Sequence, residues 1–186
     1  MPVVQKVVQK IVLNALVALA YFVGGVVGAL LASEPSNSSP VWPAAGIALA
    51  VILVYGWRVL PGLFIGVFFA QVYVSFDSLS FAVIESALLI TIIKAVASCA
   101  QALIGAGLVR RFVGVQNSLL DLPEILCFFF YGAVLSCVVS PSICISLFYV
   151  QGIIAASDYL FAWVTWWAGD VIGVFIFTPI VLTFLA

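Results

Sequence analysis

Apolar residues fall into six long runs along the chain, separated by short polar or charged segments. A helix needs about 20 mostly apolar residues to cross the hydrocarbon core of a bilayer. The pattern therefore predicts an all-α, polytopic membrane protein in which six transmembrane helices form one domain over residues 1–186. The predicted helices cover about residues 11–31, 42–57, 60–75, 81–108, 125–148 and 159–186.

The second and third predicted helices are shorter than the others, and a Gly56-Trp57-Arg58 turn separates them. Pro61 follows this turn and suits the first turn of a new helix. Two short helices in succession predict a tight hairpin or a crossing through a thinned part of the bilayer. The first run is longer than the core of a secretory signal, so it is expected to be a retained helix.

The composition agrees with a membrane protein, since 66% of the 186 residues are hydrophobic and 7% are charged. Soluble domains carry roughly one quarter charged residues, so lipid rather than water is expected to surround most of this chain. The net charge of −1 gives no basic face, and nucleic acid is therefore not a predicted partner.

The chain contains no histidine, which removes the commonest metal ligand and the usual general base of enzymes. Its four cysteines lie singly inside apolar runs, and we interpret them as small buried hydrophobic residues. We predict no catalytic residue, no metal site and no cofactor, and we do not expect the chain to be an enzyme.

The charged residues outside the apolar runs indicate an orientation in the membrane. If the N-terminus is cytoplasmic, the charged residues of the outer loops are all acidic, and they are Glu34, Asp77 and Asp158. The inner segments then hold the basic residues, as the positive-inside rule requires. Both termini are therefore predicted to be cytoplasmic. These inner basic residues are Lys6, Lys10, Arg58, Arg110 and Arg111.

Three ionisable residues lie inside predicted helices: Glu85 and Lys94 in the fourth, and Asp170 in the sixth. A charge at the bilayer centre costs about 2.5–3.5 kcal/mol on insertion scales, so such residues usually face a partner or a wet cavity. Lys94 and Asp170 lie at similar depths, about 20 and 17 Å from the outer ends of their helices. We predict a buried ion pair between them. The pair would lock two helices together, line a cavity that a ligand enters, or relay protons.

Aromatic residues surround the predicted position of Asp170. Trp163, Trp166 and Trp167 precede it at helical spacing, which predicts that all four side chains share one side of the helix. Such an aromatic wall suits a cation or an amphipathic ligand. The alternative is an aromatic belt at the membrane interface, which suits Trp163 better than the deeper Trp167. The predicted ligand-binding residues are Trp42, Glu85, Trp163, Trp166, Trp167 and Asp170.

Small residues and prolines predict where helices meet and bend. Three G-x-x-x-G pairs occur within the predicted helices, a spacing that lets two backbones approach closely. A proline inside a helix predicts a kink, and Pro179 lies near the inner end of the sixth helix. The predicted packing and hinge residues are Pro43, Gly46, Gly62, Gly66, Gly169, Gly173 and Pro179.

Two stretches resemble the signature segments of the MASE-type membrane-associated sensor domain, type one. They are VWPAAGIALAVILVYGWRVLPGLFIGVFFA at residues 41–70 and WWAGDVIGVFIFTPIVL at residues 166–182. In that family a W-P-x-x-G helix precedes a P-G-x-x-x-G helix, and a later helix carries W-W-x-G-D-x-x-G and ends in T-P. The matching positions here are Trp42, Pro43, Gly46, Pro61, Gly62, Gly66, Trp166, Trp167, Gly169, Asp170, Gly173, Thr178 and Pro179.

The resemblance implies a sensory input domain in the bacterial inner membrane. Such a domain would bind an unidentified small ligand or a partner membrane protein, with a homodimer as one compatible assembly. Family members are normally fused to histidine kinase or cyclic-di-GMP enzyme modules, which would supply any catalysis in the cytoplasm. Family domains usually continue through further helices, so the resemblance implies either a fragment of a longer protein or a stand-alone variant.

Two other functions fit a six-helix membrane protein of this length. A substrate-capture subunit of a small-solute transporter is similarly compact, and a carrier would use a charge pair near the midplane. A structural anchor for a partner protein is the second alternative. The two signature segments favour the sensor over both.

Overall fold

The computed structural model of the protein describes residues 2–32, 39–75, 84–114 and 121–185. In these ranges every regular element is helical, which confirms the predicted all-α class. The α-helices are α1 (Pro2–Leu30), α2 (Pro43–Tyr55), α3 (Leu60–Ser75), α4 (Ile84–Phe112), α5 (Leu122–Cys127), α6 (Val139–Val150) and α7 (Tyr159–Leu185). A 3-10 turn, Gly56–Val59, joins α2 to α3, and a π-helical stretch, Phe128–Leu135, with a 3-10 turn, Ser136–Val138, joins α5 to α6.

Five helical stretches in the described ranges are long and apolar enough to cross a membrane. They differ in one place from the six spanning helices that the sequence predicts. The second and third predicted helices fall within one stretch, because α2 with 13 residues and α3 with 16 residues are each too short to qualify alone. The five stretches are Val3–Leu30, Pro43–Val74, Ala87–Phe112, Leu122–Val150 and Tyr159–Leu185.

A break at Gly56 turns the stretch Pro43–Val74 into a hairpin. Gly56 has φ 69° and ψ −158°, a conformation that glycine adopts readily because it has no Cβ. Contacts with α1 show that α3 runs parallel to α1 whereas α2 runs in the opposite direction. The contacts are Gly62 with Asn14 and Gly66 with Ala18 for α3, and Ala44 with Gly24 and Trp42 with Gly28 for α2.

The remaining helices continue the alternation of direction. Helix α4 runs against the α5–α6 segment (Leu122–Val150), since Gly105 lies beside Ser136 while Gln101 bonds to Ser140. Helix α7 runs parallel to α2, with Gly169 beside Ser39 and Gly46 beside Thr178. The start of α1, the turn at Gly56 and the ends of α4 and α7 therefore lie together at what we call the basic end. The opposite end, which holds the start of α2, is the Trp42 end.

Small residues bring α2 and α7 into direct backbone contact. A Cβ atom on Gly173 would collide with the carbonyl oxygen of Trp42, and one on Gly46 would collide with the carbonyl oxygen of Gly173. The amide of Trp42 donates a hydrogen bond of 2.9 Å to the carbonyl oxygen of Gly169. The hydroxyl of Thr178 donates one of 3.0 Å to the carbonyl oxygen of Gly46. These bonds hold two helices together at a distance that only glycine permits.

At the basic end, an arginine closes the last turn of α2. Nη2 of Arg110, in the last turn of α4, donates to the carbonyl oxygens of Ile52 and Leu53 at 2.7 and 3.0 Å. The last carbonyl groups of a helix have no partner within the helix, so a cationic donor stabilises them. This contact fixes the turn of the hairpin against α4.

Large apolar side chains are exposed on the outside of the long helices. Examples are Leu19 of α1, Phe69 of α3, Ile104 of α4, Phe130 of the α5–α6 segment and Phe175 of α7, each at least 45% exposed. Water-soluble proteins rarely expose apolar surface on this scale, whereas the acyl chains of a bilayer cover it at no cost. The surface therefore agrees with a bundle that lies in a membrane.

Candidate functional site

A cleft with a volume of about 640 Å³ lies beside α7 towards the Trp42 end of the bundle. We call it the α7 cleft. Its size falls within the range of small-molecule sites, about 300–1,000 Å³, and it combines apolar walls with a few polar groups as such sites do. The aromatic lining is Trp42, Phe148, Phe161 and Trp166, and the polar lining is Ser39, Gln71, Lys94, Asp158, Thr165 and Asp170.

Asp170 lies at the base of the α7 cleft and is 3% exposed. Helix α7 can place it there because Gly169, which precedes it, packs against the carbonyl oxygen of Ser39. The Oδ2 atom of Asp170 accepts a hydrogen bond of 2.9 Å from Nε2 of Gln101 in α4. A buried carboxylate is costly without such a donor, so the amide of Gln101 is what makes this position tolerable.

Gln101 connects Asp170 to a third helical segment. Its Oε1 atom accepts a hydrogen bond of 3.0 Å from the backbone amide of Ser140 in α6. One amide side chain thus ties α4 to α6 and α7 at the same level of the bundle. Because each of its polar atoms has a defined partner, a movement of α7 at Asp170 strains the contact with α6.

A second cavity, of about 20 Å³, adjoins Asp170 deeper in the bundle. Its volume is enough for roughly one water molecule, given that a water needs about 10–15 Å³ of this space. The polar groups around it can supply the hydrogen bonds that a buried water requires. They belong to Tyr21, Gln71, Ser98, Gln101, Ser136, Ser140 and Asp170.

Lys94 lines the α7 cleft from the α4 side and is 8% exposed. Its Nζ atom lies 5.5 Å from the ring centre of Trp166 and 5.7 Å from that of Phe148. Both distances are within the range in which an aromatic face attracts a cation. Among the described residues, Lys94 has no carboxylate within 4.0 Å and makes no hydrogen bond.

The ion pair that we predicted between Lys94 and Asp170 is therefore not formed in the structure. Both residues line the α7 cleft, but Asp170 meets α4 at Gln101 rather than at Lys94. The two α4 residues are seven positions apart, which is about 10 Å along a helix. About two helical turns along α4 therefore separate Lys94 from the residue that bonds to Asp170.

The four residues predicted on one side of α7 divide between two surfaces. Trp166 and Asp170 line the α7 cleft. Trp163 and Trp167 turn towards the α5–α6 segment, with their rings stacked at 6.1 Å. Nε1 of Trp163 donates to Oγ of Ser142 at 3.1 Å, and Nε1 of Trp167 donates to the carbonyl oxygen of Val134 at 3.0 Å. Adjacent helix positions differ by about 100°, so Trp166 and Trp167 face different neighbours.

The other predicted site residues have different surroundings. Trp42 lines the α7 cleft beside Trp166. The side chain of Glu85 lies outside the described part of the chain, as do the loop residues Glu34 and Asp77. Pro43 begins α2, and Pro179 lies inside α7 near its basic end. The predicted packing glycines lie at helix contacts: Gly46, Gly169 and Gly173 between α2 and α7, and Gly62 and Gly66 between α3 and α1.

The two signature segments found in the sequence lie against each other in space. The start of α2, from Trp42 to Gly46, packs along α7 from Gly169 to Thr178. In the same signature segment of α7, Trp166 and Asp170 line the cleft. The family model MASE1 matches residues 13–185, which is nearly the whole chain. The chain belongs to the MASE1 family. The resemblance found in the sequence is thereby confirmed.

MASE1 domains are membrane-associated sensor domains of bacterial signalling proteins, and membership of this family is consistent with a sensory role in the membrane for this chain. The apolar helices and exposed apolar surface agree with that location. No curated protein and no solved structure matches the chain.

Three polar residues of this MASE1 domain escaped the sequence analysis. They are Gln101, Gln71 and Ser140, which line the cavities or form hydrogen bonds near Asp170. The predicted polar site residues were all ionisable, so these uncharged side chains were left out. The available signal was that Gln101 and Gln71 are amides inside long apolar helices. An amide in lipid costs free energy unless it is hydrogen-bonded, so its presence there predicts a polar partner.

Metal ligation has no support in the described ranges. They contain no group of three or more His, Cys, Asp or Glu side chains that could hold a metal ion. Cys137 and Cys144 are buried with free thiols, and Cys99 and Cys127 are partly buried. The α7 cleft presents one cation, two acids and several aromatic rings.

Proposed function

We propose that this MASE1 domain is an input domain that binds a small ligand or a segment of a partner membrane protein in the α7 cleft. Binding would pass a conformational signal to a cytoplasmic output module, either a histidine kinase or a cyclic-di-GMP enzyme. The observation that carries the proposal is the α7 cleft itself, with Asp170 at its base and Lys94 and Trp166 on its walls. Charged groups so deep in an apolar bundle are retained where they serve binding or switching.

The proposal places six crossings in the bacterial inner membrane, with both ends of the domain in the cytoplasm. The hairpin α2–α3 supplies two of these crossings, since its two helices run in opposite directions along α1. The basic end carries Arg58, Arg110 and Arg111, and the Trp42 end carries Asp158. The positive-inside rule then puts the basic end in the cytoplasm and opens the α7 cleft to the outside.

The proposed signal travels along α7. A ligand that contacts Trp166 and Asp170 would change the position of α7 relative to α4 and α6, because Gln101 bonds to both neighbours. Pro179 interrupts the backbone hydrogen bonds of α7 near the cytoplasmic end and provides a place for a change of bend. The ligand shifts the equilibrium only if it binds one arrangement of these helices more tightly than the other.

The test fills the cleft in a protein that joins this domain to its output module. Ala162→Trp places a large ring in the cleft, whereas Val164→Trp adds the same ring on the exposed side of α7. We expect Ala162→Trp to change the basal output and to remove any response to a ligand, because the ring occupies the binding volume. Val164→Trp should leave both unchanged. Equal output from the two variants, at equal protein levels in the membrane, would refute the proposed function.

A further inference from the structure

Lys94 is the one buried cation on the wall of the α7 cleft, among the residues that the structure describes. Only 8% of its surface is exposed, and no acidic side chain in the described part of the chain pairs with it. Two aromatic faces partly compensate for the lost hydration of the ammonium group. They do not neutralise its charge, so the site keeps an unsatisfied preference for an anion.

From this geometry we infer that the α7 cleft binds an amphipathic anion whose negative group pairs with Lys94. This inference rests on the proposed function and names the class of ligand. The carboxylate or phosphate of the ligand would accept hydrogen bonds from the Lys94 ammonium. Its apolar or aromatic body would lie against Trp166, Phe148 and Phe161.

The acids of the cleft limit the charge that the ligand can carry. Asp170 lies at the base and Asp158 lines the same cleft, so a second negative group would meet one of these carboxylates. Like charges repel strongly near buried Asp170, and more weakly near Asp158, which is exposed to solvent. The ligand class is therefore a monoanion with an apolar body, either a water-soluble organic acid or the headgroup of an anionic lipid.

The experiment uses the full chain in nanodiscs of phosphatidylcholine and three soluble probes with the same phenyl body. Equilibrium dialysis measures the binding of 3-phenylpropanoate, the cation 2-phenylethylamine and the dianion 2-phenylsuccinate. We expect 3-phenylpropanoate to bind at least about tenfold more tightly than either of the others, because only it offers Lys94 a single negative charge. Equal binding of 2-phenylethylamine would overturn the inference.

Variants of Lys94 test whether that side chain is responsible. Lys94→Gln should weaken the binding of 3-phenylpropanoate at least about tenfold, since a charge-assisted hydrogen bond is lost. Lys94→Arg keeps the charge and should keep most of the affinity. The control is Lys10→Gln, which removes an exposed lysine from α1. Unchanged binding by Lys94→Gln would overturn the inference. Should Lys94→Gln not fold, the comparison of the probes on the natural chain still decides.

A second arm distinguishes the two sources of the anion. The chain is purified from nanodiscs that contain phosphatidylglycerol, and native mass spectrometry counts the lipid that stays bound. Lipid that is retained by the natural chain and lost from Lys94→Gln identifies a headgroup as the ligand, and Lys94-dependent binding of 3-phenylpropanoate alone identifies a soluble acid. No Lys94-dependent binding in either arm overturns the inference. The proposed function would survive that result if Ala162→Trp still changed the output.

Discussion

The two sides of α7 are built in opposite ways. On the side that faces α2, Gly169 and Gly173 touch backbone atoms of the segment Ser39–Trp42, and no room remains for a single carbon atom. Next to this contact, between the segment Ser39–Trp42, α3, α4 and α6, the helix borders a cleft of about 640 Å³ with charged and aromatic walls. The first side fixes α7 to α2, so the pair is expected to move as one body. The cleft has room for a ligand, which can then act on the α2–α7 pair.

The largest effect is expected at the tight side. Gly173→Ala places a methyl group on the carbonyl oxygen of Trp42 and should lower the free energy of unfolding by about 1–3 kcal/mol, as overpacking does. Gly107→Ala makes the same chemical change in α4, where no atom apart from the local backbone of its own helix lies within 4 Å of the added carbon. This control should be neutral or stabilising by up to about 1 kcal/mol. Unfolding in lipid or mild detergent measures both, and equal effects would mean that α2 and α7 are not held at the observed distance.

A double-mutant cycle examines the hydrogen bond at the base of the open side. Gln101→Leu and Asp170→Asn should show a coupling free energy of about 0.5–3 kcal/mol, because the two side chains bond directly. The matched cycle of Lys94→Gln with Asp170→Asn should be additive to within about 0.5 kcal/mol, because those two side chains are not paired. Strong coupling in the second cycle and none in the first would restore the ion pair that the sequence predicts.

The smallest effect concerns the tryptophans that turn away from the cleft. Trp167→Phe removes the hydrogen bond to the carbonyl oxygen of Val134 and should cost about 1 kcal/mol of stability. Trp57→Phe is the control, since Trp57 is 73% exposed and should cost about 0.5 kcal/mol or less. Neither variant should change the binding of a probe in the cleft. A loss of probe binding in Trp167→Phe alone would extend the site to the side of α7 that faces the α5–α6 segment.

The helices and the family could be predicted from the sequence because each rests on local information. A bilayer imposes a minimum length on apolar helices, so the run from Tyr159 matches α7 to within one residue at either end. The run from Ile11 gives the end of α1 to within one residue, but α1 begins nine residues earlier, at Pro2, because the polar residues of its first turns hide the helix from an apolar pattern. The signature residues Trp42, Gly46 and Gly169 identify the family by their order along the chain. The glycine spacing also indicated positions that lie at helix contacts in the structure.

The partners of the charged residues could not be predicted in the same way. Which residue meets Asp170 depends on the vertical offset between α4 and α7, and a shift of two turns exchanges Lys94 for Gln101. The division of Trp166 from Trp167 depends on how far α7 is rotated about its axis. Both quantities are set by packing between helices that are distant in sequence, about which periodicity carries no information.

The length of α1 has a consequence for how the domain sits in its bilayer. Its 29 residues rise about 43 Å, whereas the hydrocarbon core is about 30 Å thick. Since Asn14 already lies level with the turn of the hairpin, through its hydrogen bonds to Arg58 and Gly62, the surplus falls on the turns that contain the repeat VVQK-VVQK. Lys6 and Lys10 are one turn apart on the same flank of that surplus. Beside a leaflet of anionic headgroups, each lysine would contribute about 1 kcal/mol of attraction. Electrostatic attraction would then add to apolar burial in fixing the depth of the helix in the bilayer.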